Sequence, residues 1–447
     1  MNSTDTTLDL LDQLLAQACK AGADRADAVM FEGISISHAQ RLGKIEKLER
    51  SESYDLGLRV LIGRRQAIVS SNDRSPSALD ALVERAIAMA GVVPEDEFCG
   101  LAEPDQIAAS WPGLDQFDPD EPGTERLIDL AKTAEEAARA VPGITNSEGA
   151  EASWGRNRVA LAASNGFRGT YSGSSHSVSV SVLAGTGDGM ERDYDYSSAV
   201  YGADLEDAAL VGSRAGERTV KRLGARKPAT CRVPVVYDPR VASSLLGHLS
   251  GAVSGAAVAR KTSFLKDKLG RRIFPAGVTV TDDPHRRRGF RSKPFDAEGL
   301  PNARRDLVAG GVLTTWIMDL RSARQLGLAS TGHAVRGTSS PPSPAPTNLY
   351  LEPGPLSPAA LIADIKSGLY VTELIGMGVN GVTGDYSRGA TGFWIENGEL
   401  AYPVNEITIA GNLRDMFLEL TPADDLVFRA SINAPTVRVE GLTVAGS

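Results

Sequence analysis

A break in pattern near residue 226 divides the 447-residue chain into two parts that must fold differently. Before the break, helical and strand periodicities alternate, whereas after it short strands and glycine-rich turns dominate. The segment GARKPAT, 224–230, replaces apolar periodicity with glycine, proline and basic residues, a composition typical of domain boundaries. A chain of this length also exceeds what one core usually holds. We therefore predict an α+β fold with an N-terminal domain over 1–226 and a C-terminal domain over 227–447.

The N-terminal part predicts a two-layer α/β domain. Leucines recur at helical spacing over 8–15, Ser75-Pro76 is typical of a helix start, and a further helix is expected over about 205–223. Valines alternate with serines over 178–182, which indicates a sheet with one face toward solvent. Asn165-Gly166 is a strong hairpin signal between two of the strands.

The C-terminal part predicts a β-rich domain, either barrel-like or a sandwich. Two hairpins are expected, with turns at Gly310-Gly311 and Asn397-Gly398. The last strands are expected at LVFRASINA, 426–434, and TVRVEGLTV, 436–444. The Pro- and Ser-rich segment 337–348 is interpreted as extended surface chain.

Charge and cysteine usage exclude several function classes. A net charge of −9 disfavours nucleic-acid binding, so the basic run HRRRGFRSK, 285–293, is interpreted as a solvated loop. No apolar run reaches the roughly 18 residues of a membrane span, and the N-terminus has no signal-peptide pattern. Cys19, Cys99 and Cys231 match no zinc or redox spacing. We expect a cytoplasmic protein that binds neither nucleic acid nor membrane.

No local motif predicts a self-contained active site. GMGVNG, 376–381, has the spacing of a dinucleotide loop, but no helix pattern follows it, so a glycine-rich loop between strands is expected instead. Asp282 and Asp283 are adjacent, and adjacent side chains on a strand point to opposite faces, so this pair is not a ready acid/base dyad. The histidines are scattered, and His248 has no second histidine within two helical turns.

Three longer segments carry a family resemblance. They are GVNGVTGDYSRGATGFWIENGELAYPVNEITIAGNL (378–413), TNLYLEPG (347–354) and ESYDLGLRVLIGRRQA (52–67). Together they resemble the TldD/PmbA family of metalloproteases over nearly the whole chain. The resemblance implies an α+β N-terminal domain followed by a β-rich C-terminal domain.

The resemblance also bears on the helix pattern SSLLGHLSGAVSGA, 243–256. TldD-type members carry a His-Glu-x-x-x-His helix for a metal and a further cysteine near the C-terminus. Here Gly247 and Ala252 stand at the histidine positions, His248 stands at the glutamate, and the last strands contain no cysteine. The resemblance therefore implies a PmbA/TldE-type subunit with no catalytic residue, metal ligand or cofactor of its own.

A zinc-bearing TldD-type subunit is the implied partner. Such a heterodimer degrades unfolded peptides or processes modified peptide precursors, and this chain would shape the substrate channel and hold extended peptides by strand addition. We predict partner or channel contacts at the loops around five residues, although packing of the second domain is an equal alternative for the last two: Asp385, Tyr386, Arg388, Phe393 and Trp394.

Two other function classes stay open. The chain could be a stand-alone peptide-binding or regulatory protein without a protease partner. It could also be a self-sufficient hydrolase that binds its metal in an unrecognised way. Co-purification with a TldD-like protein tests the first alternative, and the metal content of the isolated chain tests the second.

Overall fold

Two six-stranded sheets organise the chain, and one of them closes into a barrel. The structure, a computed structural model, describes the backbone of residues 3–446 and the side chains of residues 6–446. The helices are α1 (Ser3–Lys20), α2 (Pro76–Val92), α3 (Thr124–Arg139), α4 (Ala208–Lys221), α5 (Pro239–Ala252), α6 (Gly255–Ala259), α7 (Leu320–Leu326), α8 (Pro358–Ile362) and α9 (Leu413–Leu418). No helix within 3–446 is both long and apolar enough to cross a membrane.

The N-terminal sheet is entirely antiparallel and has the order β3-β2-β1-β4-β5-β6. Its strands are β1 (Arg25–Arg41), β2 (Lys44–Ile62), β3 (Arg65–Ser71), β4 (Ile144–Ala163), β5 (Arg168–Ala184) and β6 (Glu191–Ala199). The expected Asn165-Gly166 turn joins β4 to β5, and Gly166 adopts a φ of 98° that favours glycine.

Helices α1 to α4 cover one face of this sheet. The leucines of α1 and α2 pack on Ala28 and Met30 of β1, while α3 and α4 pack on the valines of 178–182. The opposite face of β5 carries the half-exposed serines that alternation predicted. The opposite face of β1 and β4 is instead buried around Val29 and Leu161, because Phe295 from the second half of the chain packs on them. Only part of the sheet therefore has a solvent face.

Five strands of the second sheet close into a barrel in the order β16-β15-β14-β7-β19, with β19 pairing back to β16. They are β7 (Cys231–Tyr237), β14 (Ser367–Val379), β15 (Asp385–Glu396), β16 (Glu399–Asn412) and β19 (Val437–Ala445); β17 (Leu420–Pro422) extends the sheet beyond β19. Asn397 and Gly398 form the expected two-residue turn, with φ values of 51° and 81°. The fold class is confirmed, and a barrel rather than a sandwich forms the C-terminal part.

Smaller strand pairings flank the barrel. They are made by β8 (Val280–Asp282), β9 (Arg305–Ala309), β10 (Val312–Leu313), β11 (Ala334–Val335), β12 (Ser343–Pro344), β13 (Leu349–Leu351) and β18 (Ile432–Asn433). The hairpin expected at Gly310-Gly311 joins β9 to β10. The prediction of a strand over 426–434 is wrong except at Ile432–Asn433, which form β18. The Asn433 side-chain oxygen accepts hydrogen bonds from the backbone N–H of Arg429 and Ala430, so a side chain satisfies these amides in place of a strand ladder.

The segment between α4 and β7 runs beside the barrel. The backbone N–H of Arg226 donates to the carbonyl of Pro403 on β16, at 3.0 Å. The division of the chain at residue 226 stays a prediction.

Candidate functional site

Helix α5 carries the three positions where a TldD-type subunit would have its metal motif. Its start is well defined, because the Asp238 carboxylate accepts a hydrogen bond from the Arg240 N–H at 3.0 Å and Pro239 occupies the first turn. Leu245 and Leu249 then bury one side of the helix in the core that it shares with the barrel.

The metal-motif positions differ in their surroundings. Gly247 is exposed, and a Cβ added there would meet no atom within 4 Å. Ala252 is buried against the core. His248 is half-buried, and its Nε2 atom is buried without a hydrogen-bond partner. The three positions therefore supply one nitrogen atom that could bind a metal, Nε2 of His248. At position 247 there is open space in which a larger side chain would fit.

Two tyrosines and an arginine surround His248. The ring of Tyr386 meets the imidazole edge-to-face, with ring centroids 6.0 Å apart. The hydroxyls of Tyr386 and Tyr237 are buried and lie close to each other. Burial raises the pKa of Tyr386 to about 12 and raises the pKa of Tyr237 well above its ordinary value, so both hydroxyls keep their protons at neutral pH. Burial, assisted by the charge of Arg388, lowers the pKa of His248.

This set of side chains does not fit a catalytic metal. A zinc site needs about three protein ligands, and within residues 6–446 no three His, Cys, Asp or Glu side chains lie where they could hold a metal ion. The nearest charge to His248 is the cation Arg388, which opposes the binding of a second cation. The cluster can donate hydrogen bonds from Tyr237 and Tyr386, but it has no carboxylate base and no activated nucleophile.

The structure separates the five residues predicted to contact a partner or channel. Tyr386 and Trp394 are buried in the barrel core, where they pack the domain. Asp385 is exposed, and its carboxylate accepts hydrogen bonds from the turn that precedes β15. Arg388 and Phe393 are half-buried. The predicted partner and channel contacts stay predictions for this region.

A groove of about 730 Å³ lies elsewhere, between the N-terminal sheet and loops of the second half of the chain. Its floor is the helix-free face of β1, β2, β4 and β5, and its cover is formed mainly by 289–297 together with Val335 and Arg336. The volume is within the ordinary range of ligand pockets.

A buried ion cluster lies at one end of the groove. Asp27 binds Arg59 through Nε at 2.9 Å and also accepts from Nη1 of Arg336. The Nη2 atom of Arg336 is buried and has no partner. Lys293 is also buried, and its Nζ donates to the carbonyl of Ala334 at 2.7 Å. Buried donors of this kind are typical of a site that binds an acceptor.

Sequence analysis missed this groove, although one signal lay in the run 285–293. That run was interpreted as a solvated loop, and this is wrong for its second half, because Lys293 is buried and Arg291 lines the groove. In the first half, Arg287 and Arg288 bind Asp115, at 3.0 and 2.9 Å. These ion pairs with Asp115 therefore connect the second half of the chain to the first.

Comparison with known proteins places both parts of the chain in one family. Models described as PmbA/TldA metallopeptidase domain 1, central domain and C-terminal domain match residues 26–90, 117–223 and 230–446. Metalloprotease PmbA from Escherichia coli O157:H7 is 39% identical over 95% of this chain and 93% of its own length. A PmbA homologue from Haemophilus influenzae is 37% identical over 96% of this chain and 94% of its own length.

Solved structures agree with these matches. A Bacteroides thetaiotaomicron protein, proposed to modulate DNA gyrase, superposes with a TM-score of 0.91 and 28% identity over 99% of this chain and 100% of its own. TldE from Thermococcus kodakarensis shares the fold, with a TM-score of 0.87 over 98% of this chain and 100% of its own and with 20% identity. On these sequence matches and this fold, the chain belongs to the PmbA/TldD metallopeptidase family.

Proposed function

We propose that the chain is a TldE-type subunit without a metal centre, which acts with a TldD-type subunit that supplies zinc. The pair would cleave unfolded peptides or trim modified peptide precursors, and this chain would shape the channel that admits extended substrate. Its three cysteines are unpaired, which suits a reducing cytoplasm.

The observation that carries the proposal is the donor set at helix α5. Gly247, His248 and Ala252 leave one nitrogen where a hydrolytic zinc needs several ligands and a base. The relatives named metalloproteases indicate that the family is hydrolytic. A chain of that family that lacks the donors needs a partner to supply them.

An exposed apolar hairpin supports the existence of a partner. Strands β14 and β15 continue beyond the barrel into a tip where Met377 is 90% exposed and where Ile375 and Val382 are also more than half exposed. Contiguous apolar surface of this kind marks protein-interaction sites. Strand edges nearby suit an extended peptide, because main-chain hydrogen bonds hold a strand with little sequence preference.

The experiment is a peptidase assay with an unfolded peptide, run on this chain alone, on a TldD-type protein alone and on the mixture. We expect cleavage only from preparations that contain the TldD-type protein, and a higher rate in the mixture. Met377→Asp should abolish that gain, whereas Val92→Asp, which changes an equally exposed valine on α2, should not. Chelator-sensitive cleavage by this chain alone would reject the proposal.

The stand-alone regulatory alternative makes a different prediction. Under it, the chain would bind peptides but would neither co-purify with a TldD-type protein nor change its rate. Arg388→Ala in the mixture tests the channel placement separately, because an unchanged rate there rejects only the position of that residue.

A further inference from the structure

Residues paired across neighbouring strands form rows on the floor of the groove, and the chemical type of the side chains differs from row to row. Side chains two residues apart on a strand share a face, so alternate positions of β1 from Asp27 to Ser35 face the groove. Cross-strand pairing sets Asp27 beside Arg59, then Val29 beside Leu161, then Phe31 beside Val159. The next two rows contain glycines and serines, including Gly33, Gly155 and Ser35. The floor therefore runs from an ionic row through apolar rows to a small polar end.

Glycine gives the polar end its depth. Gly33, Gly155 and Gly173 lie on three adjacent strands and have no side chains, although the Asn157 side chain lies beside Gly173. From Val29 to Ser35 the strand rises about 20 Å, which is the length of roughly six residues of extended peptide. An extended chain could lie on this floor with its main chain over the glycines and the serine hydroxyls.

Buried cations and buried carboxylates meet at the ionic end. Arg59, Arg336 and Lys293 are buried there, and Asp27 is already shared by the two arginines. Asp296 is the acidic residue of the groove lining, but three backbone N–H groups already occupy its carboxylate. Burial raises the pKa of Asp296 and lowers that of Lys293, so burial disfavours the charge on both residues. Glu298 acts on Arg59, and Asp282 and Asp296 act on Lys293, so the group of this cluster that is left without a partner is Nη2 of Arg336.

We propose that this groove binds the C-terminal segment of an extended peptide, with its terminal carboxylate at Arg336 and Lys293. An apolar last side chain would lie over the half-buried Phe31, beside Phe295, which already covers Val29. The preceding main chain would follow the glycine and serine rows. The unpartnered Nη2 of Arg336 would donate to the carboxylate, since guanidinium and carboxylate form well-matched hydrogen bonds. This assignment rests on the proposed function, because it names the peptide feature that the subunit recognises.

The test is fluorescence anisotropy on the isolated full-length chain, with a labelled hexapeptide ending in leucine. The free acid is compared with its C-terminal amide. We expect the amide to bind at least about tenfold more weakly, as the loss of a charge-assisted hydrogen bond requires. Arg336→Met and Lys293→Met should weaken binding of the acid by a similar factor. Arg85→Gln, on the exposed side of α2, is the matched control and should change nothing.

Ser35→Trp keeps the test decisive if the charge variants do not fold. Ser35 is exposed on the groove floor and makes no contact with the ion cluster, so a tryptophan there should fill the groove and leave the fold intact. Loss of binding in this variant supports the assignment. Equal binding of acid and amide, no binding of either, or unchanged binding by Ser35→Trp would overturn it. Displacement of the peptide by equimolar acetate or phosphate would also overturn it, because the site would then hold any small anion.

The assay also separates this assignment from the subunit role. Binding is measured without a TldD-type protein, so acid-selective binding with no gain in partner activity would retain the groove site and remove the proposed role. A gain in partner activity without acid-selective binding would do the reverse.

Discussion

Replacing Asp27 by asparagine should destabilise the protein severely, because the carboxylate balances two buried cations. Arg59 and Arg336 both bind it, and each side chain of the triad is at most 3% exposed. The uncharged amide would leave two guanidinium groups without a counter-charge in the interior. Breaking a buried ion pair from one side costs about 3–5 kcal/mol, a large part of the 5–15 kcal/mol that stabilises a typical domain.

The pH dependence gives this prediction its sign. Burial by itself raises the pKa of Asp27, but the charges of Arg336 and Arg59 outweigh it and hold the pKa below its ordinary value. The ionised carboxylate therefore contributes stability above the unfolded-state pKa of about 3.9, and the contribution is lost as pH falls through the lower folded-state pKa. The difference in unfolding free energy between wild type and Asp27→Asn should be constant from pH 8 to about 5 and shrink in stronger acid.

Urea unfolding followed by tryptophan fluorescence measures the effect. Asp9→Asn is the matched control, because Asp9 pairs with Arg168 at the surface, where both side chains are about half exposed. That change should cost no more than about 1 kcal/mol. A loss below about 1 kcal/mol for Asp27→Asn, or a loss equal to that of the control, would refute the argument that the triad is a buried ionic unit.

Substitutions at three further sites test the burial and packing described above. Burial and the charge of Asp296 raise the pKa of Glu298 to about 8, so the unfolding free energy of the wild type should fall as pH rises from about 5 to 8. In urea titrations, Glu298→Gln should show a weaker dependence of the unfolding free energy on pH, and an equal dependence in both proteins would contradict this. Tyr386→Phe should change the unfolding free energy by no more than about 1.5 kcal/mol, because the hydroxyl meets only the neutral hydroxyl of Tyr237. Tyr386→Ala should cost about 3–5 kcal/mol in lost packing, and equal costs for the two variants in thermal melts would refute this. Gly212→Ala on α4 should lower the melting temperature, because its Cβ would lie 2.2 Å from the Ala134 carbonyl oxygen on α3. Gly91→Ala on α2 meets no atom and should raise the unfolding free energy by up to about 1 kcal/mol; stabilisation at both positions would show that α3 and α4 are not in close contact.

Local chemistry made much of the fold predictable. The turn at Asn397-Gly398 has two residues with positive φ, which asparagine and glycine adopt readily. Helix α2 begins at Pro76, and proline is favoured there because the N–H that it lacks would have no partner in the helix. Both signals can be read from a few consecutive residues. Closure of the barrel was not predictable in this way. The pairing of β16 with β19 joins Thr408 to Ala445, and no local pattern specifies which distant edges meet.

The candidate sites show the same division. The degenerate motif on α5 was visible because it occupies six consecutive residues, 247–252. The groove was not visible, because Asp27 and Arg336 are 309 residues apart and meet only when the second half of the chain covers the N-terminal sheet. The partial failure of the strand over 426–434 has a third cause, since the side chain of Asn433 competes for backbone N–H groups that a strand would have paired.

We propose that helix α5 holds no catalytic metal. Elemental analysis of the full-length chain, purified without chelator from zinc-supplemented cells, tests it most directly, with His248→Ala measured in parallel. We expect substoichiometric zinc that is the same in both proteins, because His248 alone cannot supply the several ligands that a stable site requires. About one tightly held zinc per chain, lost on His248→Ala, would contradict it.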